Sequence, residues 1–170
     1  KGTIGTQAQL PPYTTQQFEE ALKVSDDCKL YSYTNTHYDC DCVGLKFLEL
    51  RRKEGNAAQF YGLREDAQKS CPNTPAIAGK TYTQCLQWAP SVHGEDYQEF
   101  CTCYSSAFAK LYGKNPSEDQ YTTEAQMISA LSSCNVNAPN EAARNRASII
   151  KQLKDSGSYN ALFPSAKTEK

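Results

Sequence analysis

Cys40 and Cys42, one residue apart, stand beside His37, Asp39 and Asp41, and this grouping offers two kinds of chemistry. Thiolates with an imidazole and a carboxylate are a metal-ligand set. A cysteine in the first turn of a helix has its thiol acidified by the helix dipole, as thiol–disulfide catalysts require. Neither pattern is complete. Zinc sites and redox catalysts use wider cysteine spacings, typically Cys-x-x-Cys, and the acids match no calcium loop. The second histidine, His93, lies at a different distance from its own Cys-x-Cys, formed by Cys101 and Cys103. Serine chemistry lacks a Gly-x-Ser-x-Gly turn.

Disulfide bonding accounts for the same cysteines more fully. Cys40, Cys42, Phe47 and Leu50 recur 61 positions on, from Cys40 to Cys101, as Cys101, Cys103, Phe108 and Leu111. One cysteine precedes each copy, Cys28 or Cys85, and one follows it, Cys71 or Cys134, so all eight fall into two sets of four in the same order. This is the pattern of an internal duplication. Two residues apart on a helix, side chains project about 200° apart, so the cysteines of one Cys-x-Cys cannot bond to each other and need different partners. In the first set either Cys28 pairs with Cys42 and Cys40 with Cys71, or Cys28 pairs with Cys40 and Cys42 with Cys71. The spacing leaves both open, and the second set has the same choice.

The elements that position these residues read as helices. Thr14 and Gln17 form a capping box ahead of Phe18, Ala21 and Leu22. From Cys40 the apolar residues recur every three or four positions to Leu50, with Asp39 and Asp41 at the start, Arg51, Arg52 and Lys53 at the end as a solvated terminus, and Gly55 as the stop. The stretch from Lys29 to Tyr38 has no helical period and reads as a loop. A further helix is expected from Leu63 to Cys71, closed by Pro72, and a short one from Thr81 to Trp88. Asp96 to Tyr112 repeats the central helix, and Thr123 with Gln126 forms a second capping box. Asn140 can cap a last helix through Ile149, Ile150 and Leu153.

The expected fold is therefore all-α: two tandem disulfide-stapled helical units around Cys-x-Cys helices, plus a C-terminal helix. The expected divisions are a flexible N-terminal segment at 1–12, the first four-cysteine unit at 13–72, a linker at 73–80, the second unit at 81–138, the C-terminal helix at 139–157 and a tail at 158–170. A unit of such size buries a core that barely offsets its chain entropy, so staples matter. Each bridge contributes about 3–4 kcal/mol in the chain-entropy model, comparable with the whole stability of a small domain.

Bridges of this kind belong to oxidising compartments, so the protein is expected outside the cytoplasm, periplasmic or secreted. Lys1 is preceded by no apolar leader, which reads as a mature form with its signal peptide removed. No apolar run is long enough to span a membrane. A net charge of −1 and a pI near 6.2 carry no electrostatic footprint for nucleic acid. The mean hydropathy of −0.68 is that of a soluble chain.

Paired acids such as Asp26-Asp27 are more simply caps and dipole partners than general acids and bases. The 11 tyrosines include Tyr31, Tyr33 and Tyr38 in one loop, while Tyr82, Trp88 and Tyr97 flank another. Aromatic loops are enriched at protein interfaces. The leading reading is a non-enzymatic protein-interaction or structural subunit that needs no cofactor, which in a bacterium suits a multi-subunit envelope or secretion assembly. An inhibitor or immunity-type protein that inserts the Tyr31–Tyr38 stretch into an enzyme is the second reading. A small-molecule carrier or enzyme with a pocket between the units is the third.

Titration of the native protein with a thiol reagent is expected to find no reactive thiol, and reduction is expected to unfold it. Eight reactive thiols in a native, folded sample would contradict the disulfide framework.

Overall fold

The expected capping box opens the first helix: Gln17 N donates to Thr14 Oγ1 at 3.1 Å, and Thr14 N donates to Gln17 Oε1 at 3.1 Å. The structure, a computed structural model, describes residues 9–135 together with Lys151, Lys154 and Gly157. In chain order its helices are α1 (Thr15–Leu30), α2 (Ser32–His37), α3 (Cys40–Glu54), α4 (Phe60–Lys69), α5 (Thr74–Trp88), α6 (Pro90–His93), α7 (Tyr97–Lys114) and α8 (Gln120–Cys134), with a 3-10 turn at Gly94–Asp96 before α7. The described residues form no strand; their one extended pairing is an isolated antiparallel bridge between Tyr38 and Pro72. The fold is all-α. The expected C-terminal helix and tail lie outside the described residues apart from Lys151, Lys154 and Gly157, as does the N-terminal segment before residue 9.

All four bridges are formed, and each Cys-x-Cys diverges as helical geometry requires. The pairs are Cys28–Cys40 and Cys42–Cys71 in the first unit, and Cys85–Cys101 and Cys103–Cys134 in the second. In each unit a long helix, α1 or α5, packs on the Cys-x-Cys helix, α3 or α7, which also packs on a closing helix, α4 or α8.

The duplication extends to burial. The buried residues of α3 are Cys40, Val43, Gly44, Phe47, Leu48 and Arg51. Moved by the Cys40-to-Cys101 offset they become Cys101, Tyr104, Ser105, Phe108, Ala109 and Tyr112, all buried on α7. The first core is mostly aliphatic around Phe47, while in the second Phe100, Tyr104, Phe108 and Tyr112 run along one face of α7 with consecutive ring centroids 6.2–6.4 Å apart.

Several expectations are corrected. The stretch from Lys29 to Tyr38 is mostly helix α2, held by side-chain bonds to the main chain: Thr34 Oγ1 donates to Cys28 O, and Thr36 Oγ1 donates to Ser32 O at 2.7 Å. Local polar bonds of this kind leave no apolar period to read. The expected linker 73–80 is the start of α5, with Asn73 accepting from Ala76 N at 3.3 Å. Pro75 sits in the first turn, where its missing N–H is needed by no carbonyl. Gly62 and Gly79 lie inside helices with open space around their Cα.

Helix α8 begins earlier than expected because Asp119, not Thr123, is the N-cap and accepts from Thr122 N at 2.9 Å. Gln126 instead donates to the Asn115 carbonyl at 3.0 Å and caps the end of α7. Arg51 is buried rather than solvated: Nε and Nη2 donate to the Glu20 carboxylate at 3.1 and 2.8 Å, and Nη1 donates to Ala58 O at 2.7 Å.

At Gly44 helices α1 and α3 lie close together. A Cβ there would lie 3.0 Å from Ser25 Cβ and 3.2 Å from the Ala21 carbonyl oxygen. Gly44→Leu is expected to force α1 and α3 apart at a cost of about 1–3 kcal/mol. Gly79→Ala should raise stability by about 0.5–1 kcal/mol by removing helix-interior backbone freedom. Thermal denaturation reads both, and a Gly44→Leu protein as stable as the parent would contradict the close approach.

Candidate functional site

The first unit ends where the second begins, with only Pro72 between Cys71 and the N-cap Asn73. Asp39 N donates to Cys71 O at 2.9 Å and Asn73 N donates to His37 O at 2.8 Å, which pins the stretch before α3 to the stretch before α5. Through this clasp α2 lies against α5. Tyr33 packs on both cores at once. The seam between the units is therefore built from α2, Tyr38, the ends of α5 and α7, and the turn before α8.

His37 sits at its centre. The ring stacks on Tyr33 with centroids 4.2 Å apart and meets the Tyr112 ring at 5.9 Å in an edge contact. Its Nδ1 lies 2.7 Å from Tyr33 O. A carbonyl only accepts, so Nδ1 carries the proton and Nε2 the lone pair. Burial pushes the imidazole down to about 4, with Lys80 acting in the same direction and the Tyr33 carbonyl opposing. Lys80 is itself lowered by burial.

The tyrosines around it are held in the protonated form. Burial pushes Tyr38 up to about 12, and Glu118 adds to the rise. Tyr33 is raised by burial and then by Glu118, and Tyr112 by burial and then by Tyr38, to which its hydroxyl is directed. The Tyr33 and Tyr38 hydroxyls thus face one exposed carboxylate, Glu118, and Tyr112 follows behind Tyr38. At neutral pH the three phenols keep their protons and are hydrogen-bond donors.

Tyr38 is also the floor of a cleft of about 600 Å³ that opens between the units. One wall is α4, with Tyr61, Arg64, Glu65, Gln68 and Lys69; the other is the turn from Asn115 to Asp119 with Thr122. Its charges are largely engaged. Lys69 pairs with Glu65 at 3.0 Å, Arg64 lies 5.1 Å from the Tyr61 ring centroid, and Asp119 accepts from Thr122 N and Oγ1. Tyr61 is 71 % exposed and stands at the rim.

The aromatic residues singled out in the sequence fall into different places. Tyr31 is 56 % exposed at the joint of α1 and α2. Tyr33 and Tyr38 are taken up by the seam and are not a free contact loop. Tyr82, Trp88 and Tyr97 are partly buried against the second core, and Trp88 meets Phe100 and Tyr104 edge-on at 5.9 and 6.1 Å.

The candidate metal set is dispersed as well. Cys40 and Cys42 are bridged, Asp39 caps α3 by accepting from Cys42 N, and His37 is in the seam. His93, lowered by burial, stacks on Phe100 with centroids 3.6 Å apart. The cleft residues of α4 and of the 115–119 turn carry no motif. The available signal was Tyr112, where the repeat departs from Arg51.

Comparison with known proteins adds no relative: no family model, no curated protein and no solved structure matches the chain.

The His37 shift fixes a pH dependence. Because the folded-state value lies below the ordinary value of 6.5, the contribution is complete above about pH 6.5 and is lost as the pH falls toward 4. The full loss is on the order of 3 kcal/mol, and His93 acts with the same sign. His37→Phe, which keeps a ring against Tyr33, is expected to flatten the fall of melting temperature between pH 6.5 and 4. Identical pH profiles for the two proteins would contradict it.

Proposed function

We propose that the protein is a non-enzymatic interaction or structural subunit that works outside the cytoplasm, periplasmic or secreted, and that the cleft between its units receives a segment of a protein partner. In a bacterium this suits a component of an envelope or secretion assembly. The observation that carries the reading is that the cysteines and both histidines are committed to architecture. All eight cysteines are bridged with no free thiol, and His37 and His93 are buried and stacked on aromatic rings. Among the described residues, the cleft between the units offers a partner a polar surface with an exposed tyrosine at its rim.

The composition of the cleft supports a protein segment over an apolar cargo. Its walls combine amides, hydroxyls and the Lys69–Glu65 ion pair around Tyr61 and Tyr38, a mixture of the kind found at the polar parts of protein interfaces. The loop-insertion reading loses its instrument, because residues 32–37 are helix and Tyr33 and Tyr38 face the seam.

The test is site-specific photocrosslinking in the native, oxidised protein. A photoreactive residue at Tyr61 is expected to give a discrete protein adduct, and the same residue at Gly79 none. Addition of Tyr61→Ala or Arg64→Glu in the cleft should abolish co-purification of that protein. Absence of any adduct from the cleft walls, or residence of the folded protein in the cytoplasm with reduced cysteines, overturns the reading.

A further inference from the structure

The outer side of the α1/α3 pair displays large apolar side chains in the open. Phe18 is 48 % exposed, Leu22 64 % and Leu45 65 %. Phe18, Leu22 and Lys29 occupy one narrow arc of α1 by their spacing, and Asp41, Leu45 and Arg52 occupy the matching arc of α3. Two contacts place these arcs on the same side. Lys29 Nζ lies 2.6 Å from Asp41 at one end. At the other the Arg52 guanidinium stands 4.0 Å over the Tyr13 ring, which is 5.5 Å from Phe18. Leu22 and Leu45 lie between the two ties.

The duplication supplies an internal control for what the fold itself needs here. In the registers that align Cys28 with Cys85 and Cys40 with Cys101, the counterparts of Phe18, Leu22 and Leu45 are Pro75, Gly79 and Ser106. All three counterparts are exposed. The second unit thus builds the same helix pair with small groups at positions where the first carries large apolar ones. Packing within a unit does not call for them, and clustered exposed apolar groups of this kind mark association surfaces.

The face is also complementary to itself. Lys29 is surrounded by Asp26, Asp39 and Asp41, which leaves that end acidic, whereas Arg52 stands on the arc at the other end. A two-fold axis between Leu22 and Leu45 lays the acidic end of one copy on the basic end of the other and closes the apolar centre on itself. Isologous interfaces require such self-complementarity. We propose that this face is the interface of a symmetric homodimer, α1 and α3 of one copy against α1 and α3 of a second. It shares no residue with the cleft and stands whether or not the cleft binds a partner.

Sedimentation equilibrium on the oxidised protein across the micromolar range reads the proposal. The expected mass is twice 18.9 kDa. Leu22→Asp combined with Leu45→Asp should weaken the dimer roughly 100-fold or more with an unchanged helical circular dichroism spectrum. Gly79→Asp with Ser106→Asp, the same change in the second unit, and Tyr61→Ala in the cleft should leave it intact. Arg52→Glu should weaken association, and Asp26→Arg on top of it should restore it. A monomer at every concentration, a dimer indifferent to Leu22 and Leu45, or a loss at Arg52 that Asp26→Arg does not repair each overturns the interface.

Discussion

Two side chains one residue apart on a helix face away from each other, and this constraint governs the molecule. Cys40 and Cys42 cannot bond to each other, so α3 is bridged to the end of α1 on one side and, on the other, to Cys71 two residues past α4. The same holds for α7 between α5 and α8. Three helices per unit are thereby fixed around one another with small cores. The Cys28–Cys40 and Cys85–Cys101 bridges lie in those cores, where their sulfurs replace part of the apolar volume such short units lack.

Within this frame the two copies have diverged where they meet. The position that is Arg51 in the first unit and Tyr112 in the second is buried in both. As arginine it binds Glu20 and the carbonyls of the turn after α3, so it ties its own unit together. As tyrosine it reaches Tyr38 and His37, so it ties one unit to the other. One helical register thus serves cohesion in the first copy and assembly in the second. The seam that results is aromatic and polar, and its hydroxyls lead outward to Glu118 and the cleft.

The helical class, the α1 cap and the stop at Gly55 were legible because each rests on residues close in sequence, and the duplication because its two copies keep the same short spacing. The choice between the two disulfide pairings was not, since either satisfies the geometry of α3 alone. Helix α2 was hidden because Thr34 and Thr36 hold it by side-chain bonds without an apolar stripe. Pro75 and Gly79 look like punctuation, yet a proline in the first turn and a glycine facing solvent are both compatible with a helix. The cleft was illegible for a different reason: Arg64 and Asp119 come together only through the clasp at residues 37–39 and 71–73, which no local pattern encodes.

The bridges also determine how the chain bears a pull applied to its ends. A load entering at Cys28 crosses to Cys40, passes Asp41 to Cys42, and crosses to Cys71; from Cys85 it runs through Cys101, Thr102 and Cys103 to Cys134. Each loop enclosed by a bridge is shielded and adds nothing to the extension. Between Cys28 and Cys134 the slack is confined to Asp41, Thr102 and the stretch from Cys71 to Cys85, on the order of 60 Å when drawn straight. Between those two cysteines, helix α5 and the seam it supports form the compliant joint of a tether that is otherwise covalently short.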